Sequence, residues 1–468
     1  MKHFLAIDLG AESGRAILGT LANDKLALEE LHRFPNTPVR INTGLYWDTF
    51  RLFHEIQQGL AVAGRERHIE LDGIGVDTWG VDYGLFGSDG ELIANPRHYR
   101  DERNDGMMEK TFAAVPKAAI FGETGIQFMQ LNSLYQLYAA KLAGAPGLAN
   151  AKTLLFMPDL FNYWLTGVMM AERTIASTSQ FYDPSRRTWA SGLLAKLGLP
   201  ESILPEIVEP GTKLGNLSGW LAEWAGLRET PVFASAGHDT ACAVAAVPAQ
   251  GHDWCYISSG TWSLMGVEID EPIINEQSLA LNYTNEIGVG GKVRLLKNIA
   301  GLFLLQECKR SWAIEGKNYS YDELTQLAAE ARPHVAMLDP DAFLHTGNMP
   351  QKIAAWCKEH GQAVPQTTGE FCRVILECLA ERYRQVLENL ETLTGRRINT
   401  IHIVGGGSRN MLLNRLVAEA TGRRVVAGPA EATAAGNILV QAIGSGALKN
   451  LDEARAVVRA SFDVTEVQ

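Results

Sequence analysis

Short apolar runs broken by tight polar turns open the chain. Phe4-Leu5-Ala6-Ile7 leads into Asp8-Leu9-Gly10-Ala11-Glu12-Ser13-Gly14-Arg15, and Ala16-Ile17-Leu18 follows. An apolar run, a glycine-bearing turn and a returning apolar run predict a hairpin. The pattern predicts strands over 4–8, 15–20 and 26–33, the last two joined at Asn23-Asp24. Leu52, Ile56, Leu60 and Val62 then recur at helical steps. Gly73-Ile74-Gly75-Val76-Asp77 reads as a buried strand, which gives a β-β-β-α-β order. Pro231-Val232-Phe233-Ala234-Ser235 predicts a further strand, running into Gly237-His238-Asp239-Thr240.

A second series begins near residue 254. Cys255-Tyr256-Ile257, the turn Ser258-Ser259-Gly260-Thr261-Trp262 and Leu264-Met265-Gly266-Val267 repeat the opening pattern. Ile375, Leu379, Tyr383, Val386, Leu390 and Leu393 predict an amphipathic helix over 371–393. The strand Ile401-His402-Ile403-Val404 ends in Gly405-Gly406-Gly407, and a helix with Leu412, Leu413, Leu416 and Val417 follows. Two such glycine turns, far apart in one chain, predict two related α/β domains gripping one phosphorylated ligand. The expected division is residues 1–247 and 248–468, with Val247-Pro248-Ala249-Gln250-Gly251 as the hinge.

At 468 residues, two domains are the natural expectation. The 46% apolar content is that of a globular chain with a large core. The net charge of −11, from 42 basic and 53 acidic residues, has no block of like charge behind it, which argues against nucleic acid as a partner. The apolar run at the N-terminus is too short for a signal peptide. No run of about 18 apolar residues predicts a membrane span. The six cysteines lack metal-ligand spacing and read as buried thiols in a reducing, cytoplasmic setting. Cys357 and Cys372 flank a Gly/Pro-containing loop and are placed to approach each other.

The common motifs are missing. There is no Gly-x4-Gly-Lys-Ser/Thr, no His-Glu-x-x-His and no Gly-x-Ser-x-Gly. Asp8, at a strand end beside small residues, suits magnesium next to a phosphate. Ser13 adds a hydroxyl and Arg15 a forked cation for phosphate oxygens. Glu12 would repel phosphate and belongs toward solvent or metal. An ordinary turn explains the same residues. Asp239 is either the cap of a helix starting near Thr240 or a general base for a substrate hydroxyl. The Gly405-Gly406-Gly407 turn serves either close approach of a nucleotide or helix packing. The small residues from Glu431 to Asn437 fit tight packing or a cofactor face. Trp79-Gly80-Val81-Asp82 mixes groups that recognise sugars. Tyr99-Arg100-Asp101-Glu102-Arg103 does too, or is a solvated loop.

The segments 8–15, 75–82, 237–240, 258–264, 297–299 and 404–407 occur in the order found in the FGGY carbohydrate kinases, which this chain resembles from residue 4 to about 445. The resemblance implies two actin-like, ribonuclease-H-like ATPase domains with a cleft between them. It also implies transfer of phosphate from ATP, with Mg2+, to a hydroxyl of a ketose sugar. By resemblance Asp239 is the general base, and Asp8 faces phosphate and magnesium. Ala11, Glu12, Ser13, Gly14, Arg15, Thr261, Gln306 and Gly405-Gly406-Gly407 match ATP-contacting positions. Gly80, His238, Asp239, Thr240 and Asn298 match sugar-contacting positions. Many relatives carry Ser or Thr where this chain has Glu12.

Overall fold

The computed structural model describes residues 1–333, 337–343 and 347–467. The opening hairpin forms as the apolar pattern requires. Strand β1 (Lys2–Leu9) pairs antiparallel with β2 (Ser13–Ala22), which pairs with β3 (Lys25–Pro35). Asn23 and Asp24 both take positive φ, +50° and +57°, as a two-residue hairpin turn of this hand needs. The helix Thr49–Ala61 starts at Asp48, whose side chain accepts from the Arg51 N–H. It continues as a π turn over Val62–Glu66, so Val62 lies just past the regular helix. Strand β4 (Gly73–Thr78) is buried along its whole length and pairs parallel with β1. With β5 (Thr212–Asn216) and β6 (Pro231–Ala234), the first sheet has the order β5-β6-β4-β1-β2-β3. The adjacent strands β6, β4 and β1 run parallel, so their carboxyl ends share one edge of the sheet. Ligand sites of open α/β sheets form at such an edge.

The second glycine turn joins β7 (Trp254–Ser259) and β8 (Ser263–Ile269), again antiparallel. With β9 (Val293–Ile299), β10 (Thr400–Val404), β11 (Arg424–Ala427) and β12 (Thr465–Val467) they give six strands of a seven-stranded sheet, in the order β9-β8-β7-β10-β11-β12. The helix expected over 371–393 spans Thr368–Thr394. It is opened by a capping box of Thr367 and Glu370 and closed by Gly395 at positive φ.

The two compact units are not the two halves expected from the sequence. The first comprises residues 1–248, 268–295 and 432–461; the second comprises 249–267, 296–431 and 462–468. The reason is visible in the helix Ala432–Gly444, which covers the first sheet. Its Gln441 Nε2 donates to the Leu5 carbonyl at 3.1 Å. A Cβ added to Gly19 of β2 would lie 2.5 Å from Ile438, so these surfaces already touch. Among the described residues no helix is long and apolar enough to cross a membrane. All six cysteines are buried and unpaired by disulfides, Cys357 and Cys372 included.

Candidate functional site

Three carboxylates collect at the carboxyl edge of the first sheet. Asp8 lies near the end of β1, in register with Asp77 on β4 and Arg15 on β2. Its Oδ2 accepts from Arg15 Nη2 at 2.5 Å. The turn after it is fixed by backbone bonds. Gly10 N–H donates to the Ser13 carbonyl at 2.9 Å, Asn36 N–H to the Glu12 carbonyl at 3.0 Å, and Asn36 Nδ2 to the Gly10 carbonyl at 2.8 Å. Glu12 is exposed, and Gly14 is packed so closely that a Cβ would lie 2.3 Å from the Phe34 ring.

Asp77 is fully buried. Its Oδ2 accepts from Asn437 Nδ2 at 2.6 Å, while Oδ1 has no hydrogen-bond partner. Burial pushes its carboxyl well above the usual range, and the Asp8 charge pushes it further; the Asn437 bond opposes both. Sequence reasoning placed Asp77 in a strand and gave it no role. The available signal was a carboxylate at the end of an otherwise apolar strand.

Asp239 follows β6. The cap position of the helix Asp239–Ala245 is held by His238, and Asp239 is the first helical residue. Its Oδ1 accepts from the Thr240 N–H at 2.5 Å and the Thr240 hydroxyl at 3.2 Å, and His238 Nε2 stands 3.4 Å from the same oxygen. Among the described residues no group bonds Oδ2. About 32% of the side chain is exposed. Its pKa is raised, first by the surrounding protein and then by Asp8, with His238 acting in the opposite direction. The Asp8 charge therefore acts on both Asp77 and Asp239 within a single unit.

The turn that presents His238 and Asp239 is braced from below. Glu172, buried, accepts from Gly237 N–H at 2.8 Å, Thr174 N–H at 2.8 Å and Ile175 N–H at 3.1 Å. The Thr174 hydroxyl in turn accepts from His238 N–H at 3.2 Å. Thr78 N–H donates to the Gly237 carbonyl at 2.9 Å, tying the ends of β4 and this turn together. Gly80 follows directly, against Thr178. Glu172 too escaped the sequence reading; it is 65 residues from the backbone it holds.

Asp82 and Trp79 do not offer polar groups to a ligand. Asp82 Oδ2 accepts from Trp47 Nε1 at 2.6 Å, Trp79 Nε1 at 3.0 Å and Tyr99 N–H at 3.2 Å, and Oδ1 accepts from Gln136 Nε2 at 2.9 Å. Burial still raises its pKa to about 6. Asp101 is likewise a buried brace. It accepts from Leu45 N–H at 2.6 Å and from Arg97 at 3.1 Å.

In the second unit the other two glycine turns meet. Gly405 has φ +83°, a conformation glycine adopts without strain, and a Cβ there would lie 3.0 Å from the Ser259 carbonyl oxygen. At Gly407 a Cβ would lie 2.0 Å from Ser259 Oγ. The turn around Thr261 is closed by Gly260 N–H to the Trp262 carbonyl at 2.8 Å. Leu302 N–H to the Gly260 carbonyl and Phe303 N–H to the Thr261 carbonyl, both 3.0 Å, seat it on the helix Phe303–Ile314, which carries Gln306. Tyr383 shares a 2.6 Å hydrogen bond with Ser263, and burial pushes its phenol up to about 12. Asn298 lies in the same unit, on β9. Of the candidate sugar residues, Gly80, His238, Asp239 and Thr240 belong to the first unit.

The donor set fits a magnesium ion that keeps most of its own water. Among the described residues no three ligating side chains converge on one point. Asp8, paired on Oδ2 with Arg15, and the unpartnered Asp77 Oδ1 supply carboxylate oxygen there. Magnesium commonly takes one or two carboxylates and completes its shell with water and phosphate oxygen.

Comparison with known proteins follows the same lines. The N-terminal domain of the FGGY family of carbohydrate kinases matches residues 3–246, and its C-terminal domain matches 255–445. A rhamnulokinase of Bacteroides thetaiotaomicron is 45% identical over 463 residues, covering 98% of this chain and 94% of its own. A rhamnulokinase of Pectobacterium atrosepticum is 42% identical over 466 residues, covering 99% and 92%. In structure, a ligand-bound xylulose kinase of Lactobacillus acidophilus superposes with a TM-score of 0.81 at 15% identity, covering 100% of this chain and 93% of its own. Plasmodium falciparum glycerol kinase with ADP gives 0.79 at 13%, covering 99% and 94%. At such identities these likenesses speak to the two-domain α/β fold alone.

Proposed function

The chain belongs to the FGGY family of carbohydrate kinases, and from that premise we propose that it phosphorylates L-rhamnulose at the 1-hydroxyl. ATP is the donor, and the products are L-rhamnulose 1-phosphate and ADP, a step of L-rhamnose breakdown. The observation behind the substrate is the full-length likeness to rhamnulokinases at 39–45% identity. In this reading both units have the actin-like, ribonuclease-H-like ATPase fold, and nucleotide and sugar meet in a cleft. Residues 1–247 and 248–468 remain the proposed functional halves.

Phosphoryl transfer needs in-line positioning and neutralised charge more than covalent help. Asp239 takes the proton of the substrate hydroxyl on Oδ2, the oxygen left open while Thr240 occupies Oδ1. His238, Thr240, Gly80 and Asn298 orient the sugar. Arg15 and the backbone N–H groups of residues 11–14 meet phosphate oxygens. Thr261, Gln306 and the Gly405-Gly406-Gly407 turn receive the nucleotide. Magnesium, when bound at Asp8 and Asp77, neutralises charge on the phosphates. Closure that excludes water keeps the phosphoryl group for the sugar.

The test is a coupled ADP-release assay over a ketose panel with Mg-ATP. L-rhamnulose is expected to give the highest kcat/KM. An equal or higher value for L-fuculose would replace the substrate with another deoxy-ketose, and ADP release independent of any sugar would remove the kinase reading.

A further inference from the structure

A buried charged group stands behind His238, all of it within the first unit. Arg294 is wholly buried and Glu286 is 5% exposed at the side chain. One guanidinium nitrogen, Arg294 Nη2, lies 3.2 Å from Glu286 Oε2 and 3.2 Å from His238 Nδ1. Arg294 Nε is committed to the Ile287 carbonyl at 3.1 Å, which fixes the plane of the fork. Glu286 Oε2 is itself 3.2 Å from His238 Nδ1. On the other side of the imidazole, Nε2 is 3.4 Å from Asp239 Oδ1. His238 is thus faced by Arg294 and Glu286 at one nitrogen and by Asp239 at the other.

The chemistry of the donors decides where the proton sits. A guanidinium is always charged and only donates. Nη2 carries two hydrogens and has two acceptors at equal distance, the Glu286 carboxylate and His238 Nδ1. Glu286 balances the arginine charge. An Nδ1 that accepts has no hydrogen of its own, and the remaining proton must be on Nε2.

We propose that Arg294, balanced by Glu286, is a positioning residue for phosphoryl transfer. It holds His238 Nδ1 as an acceptor and leaves the ring proton on Nε2, 3.4 Å from Asp239 Oδ1. That N–H stands on the side of the oxygen that the two Thr240 donors hold. The carboxylate is held in one orientation with Oδ2 as its basic, outward oxygen. A histidine in the other tautomer would present a bare nitrogen to Oδ1, and the carboxylate would turn away. The positioning role rests on the reading of Asp239 as the base; the tautomer does not.

The test uses the full-length protein labelled with 15N in its histidine rings, with His238 assigned by loss of its signals in His238→Gln. At neutral pH the wild type is expected to show a bare Nδ1 and a protonated Nε2. A protonated Nδ1, in either the neutral ring or an imidazolium, would overturn the proposal. Arg294→Lys keeps the charge but loses the fixed fork. It is expected to lower kcat about 10-fold or more while KM for the sugar stays within about 2-fold. Wild-type kcat in a folded Arg294→Lys would also overturn it. Where that variant does not fold, the wild-type tautomer measurement decides alone. Wild-type turnover in Asp239→Asn would instead sink the base and its positioning together, with the tautomer result untouched.

Discussion

Replacing Gly436 by alanine tests the link between packing and the site without touching a proposed catalytic group. Gly436 is on the helix Ala432–Gly444, where it meets the helix Asp239–Ala245. A Cβ there would lie 1.8 Å from the Cys242 carbonyl oxygen, 2.5 Å from the carbonyl carbon and 2.9 Å from Cys242 Cα. All three are backbone atoms and cannot rotate aside. The helices must part by about 1 Å or more to restore van der Waals distance. Overpacking of this kind costs about 1–3 kcal/mol. At roughly 2–4 °C per kcal/mol for large domains, Tm falls by about 2–12 °C. The displaced helix begins at Asp239, and a shift of about 1 Å at a reacting group lowers turnover by about 10²-fold. Thermal unfolding and steady-state kinetics on the same preparation read both effects. Gly122→Ala is the control. Gly122 is exposed in the helix Lys117–Thr124 with nothing within 4 Å of the added carbon. It should gain about 0.4–1 kcal/mol and keep its kcat. If Gly436→Ala melts and turns over like the wild type, the two helices do not pack as described, and the argument from packing to Asp239 fails.

Further outcomes follow from single groups. Asp239→Asn keeps an acceptor for Thr240 but loses the base, so kcat should drop about 10²–10⁴-fold with little change in either KM; a loss confined to KM would reassign Asp239 to binding. The raised pKa of Asp77 means the folded state binds the proton more tightly than the unfolded chain. Its stabilising effect is therefore complete below the unfolded pKa and is lost as pH rises through the folded one. Asp77→Asn should then raise Tm relative to wild type at alkaline pH and leave it little changed in acid, and a gain largest in acid would contradict the sign. Tyr383→Phe strips the Ser263 hydroxyl of its 2.6 Å partner at about 1–3 kcal/mol. Its KM for ATP should rise several-fold with KM for the sugar constant, and equal shifts in both would detach Tyr383 from the nucleotide turn.

Local patterns carried the sequence reading a long way. The apolar runs around residues 4–18 and 254–269 and the helix near 371–393 announce themselves because strand and helix periods are local properties. What was not legible depends on distant partners. Asp77 meets Asn437 across 360 positions, and Glu172 braces a turn 65 positions away. Nothing near either carboxylate marks the donor that satisfies it. Trp79 and Asp82 look like sugar-binding groups in one dimension, yet Asp82 is consumed by Trp47, Tyr99 and Gln136. Asp239 shows the limit of cap statistics, since a histidine holds the cap position and frees the aspartate for the first turn. The compact units divide the chain differently from the expected halves because a row of small residues at 432–436 suits close helix contact with the first unit, and a sequence does not say which surface such a row will meet.

The late return of the Ala432–Gly444 helix sets a timetable for biosynthesis. As the ribosome works from one end, residues 1–248 leave the tunnel with the seat of that helix bare, including Gly19, Gly73 and Gly75, which lie under Ile438, Asn437 and Gln441 in the finished molecule. At about 5–20 residues per second, roughly 10–40 s pass before the covering helix is made. Through that interval the nascent sheet lacks its cover, with the Leu5 and Gly75 carbonyls still waiting for the Gln441 and Asn437 amides.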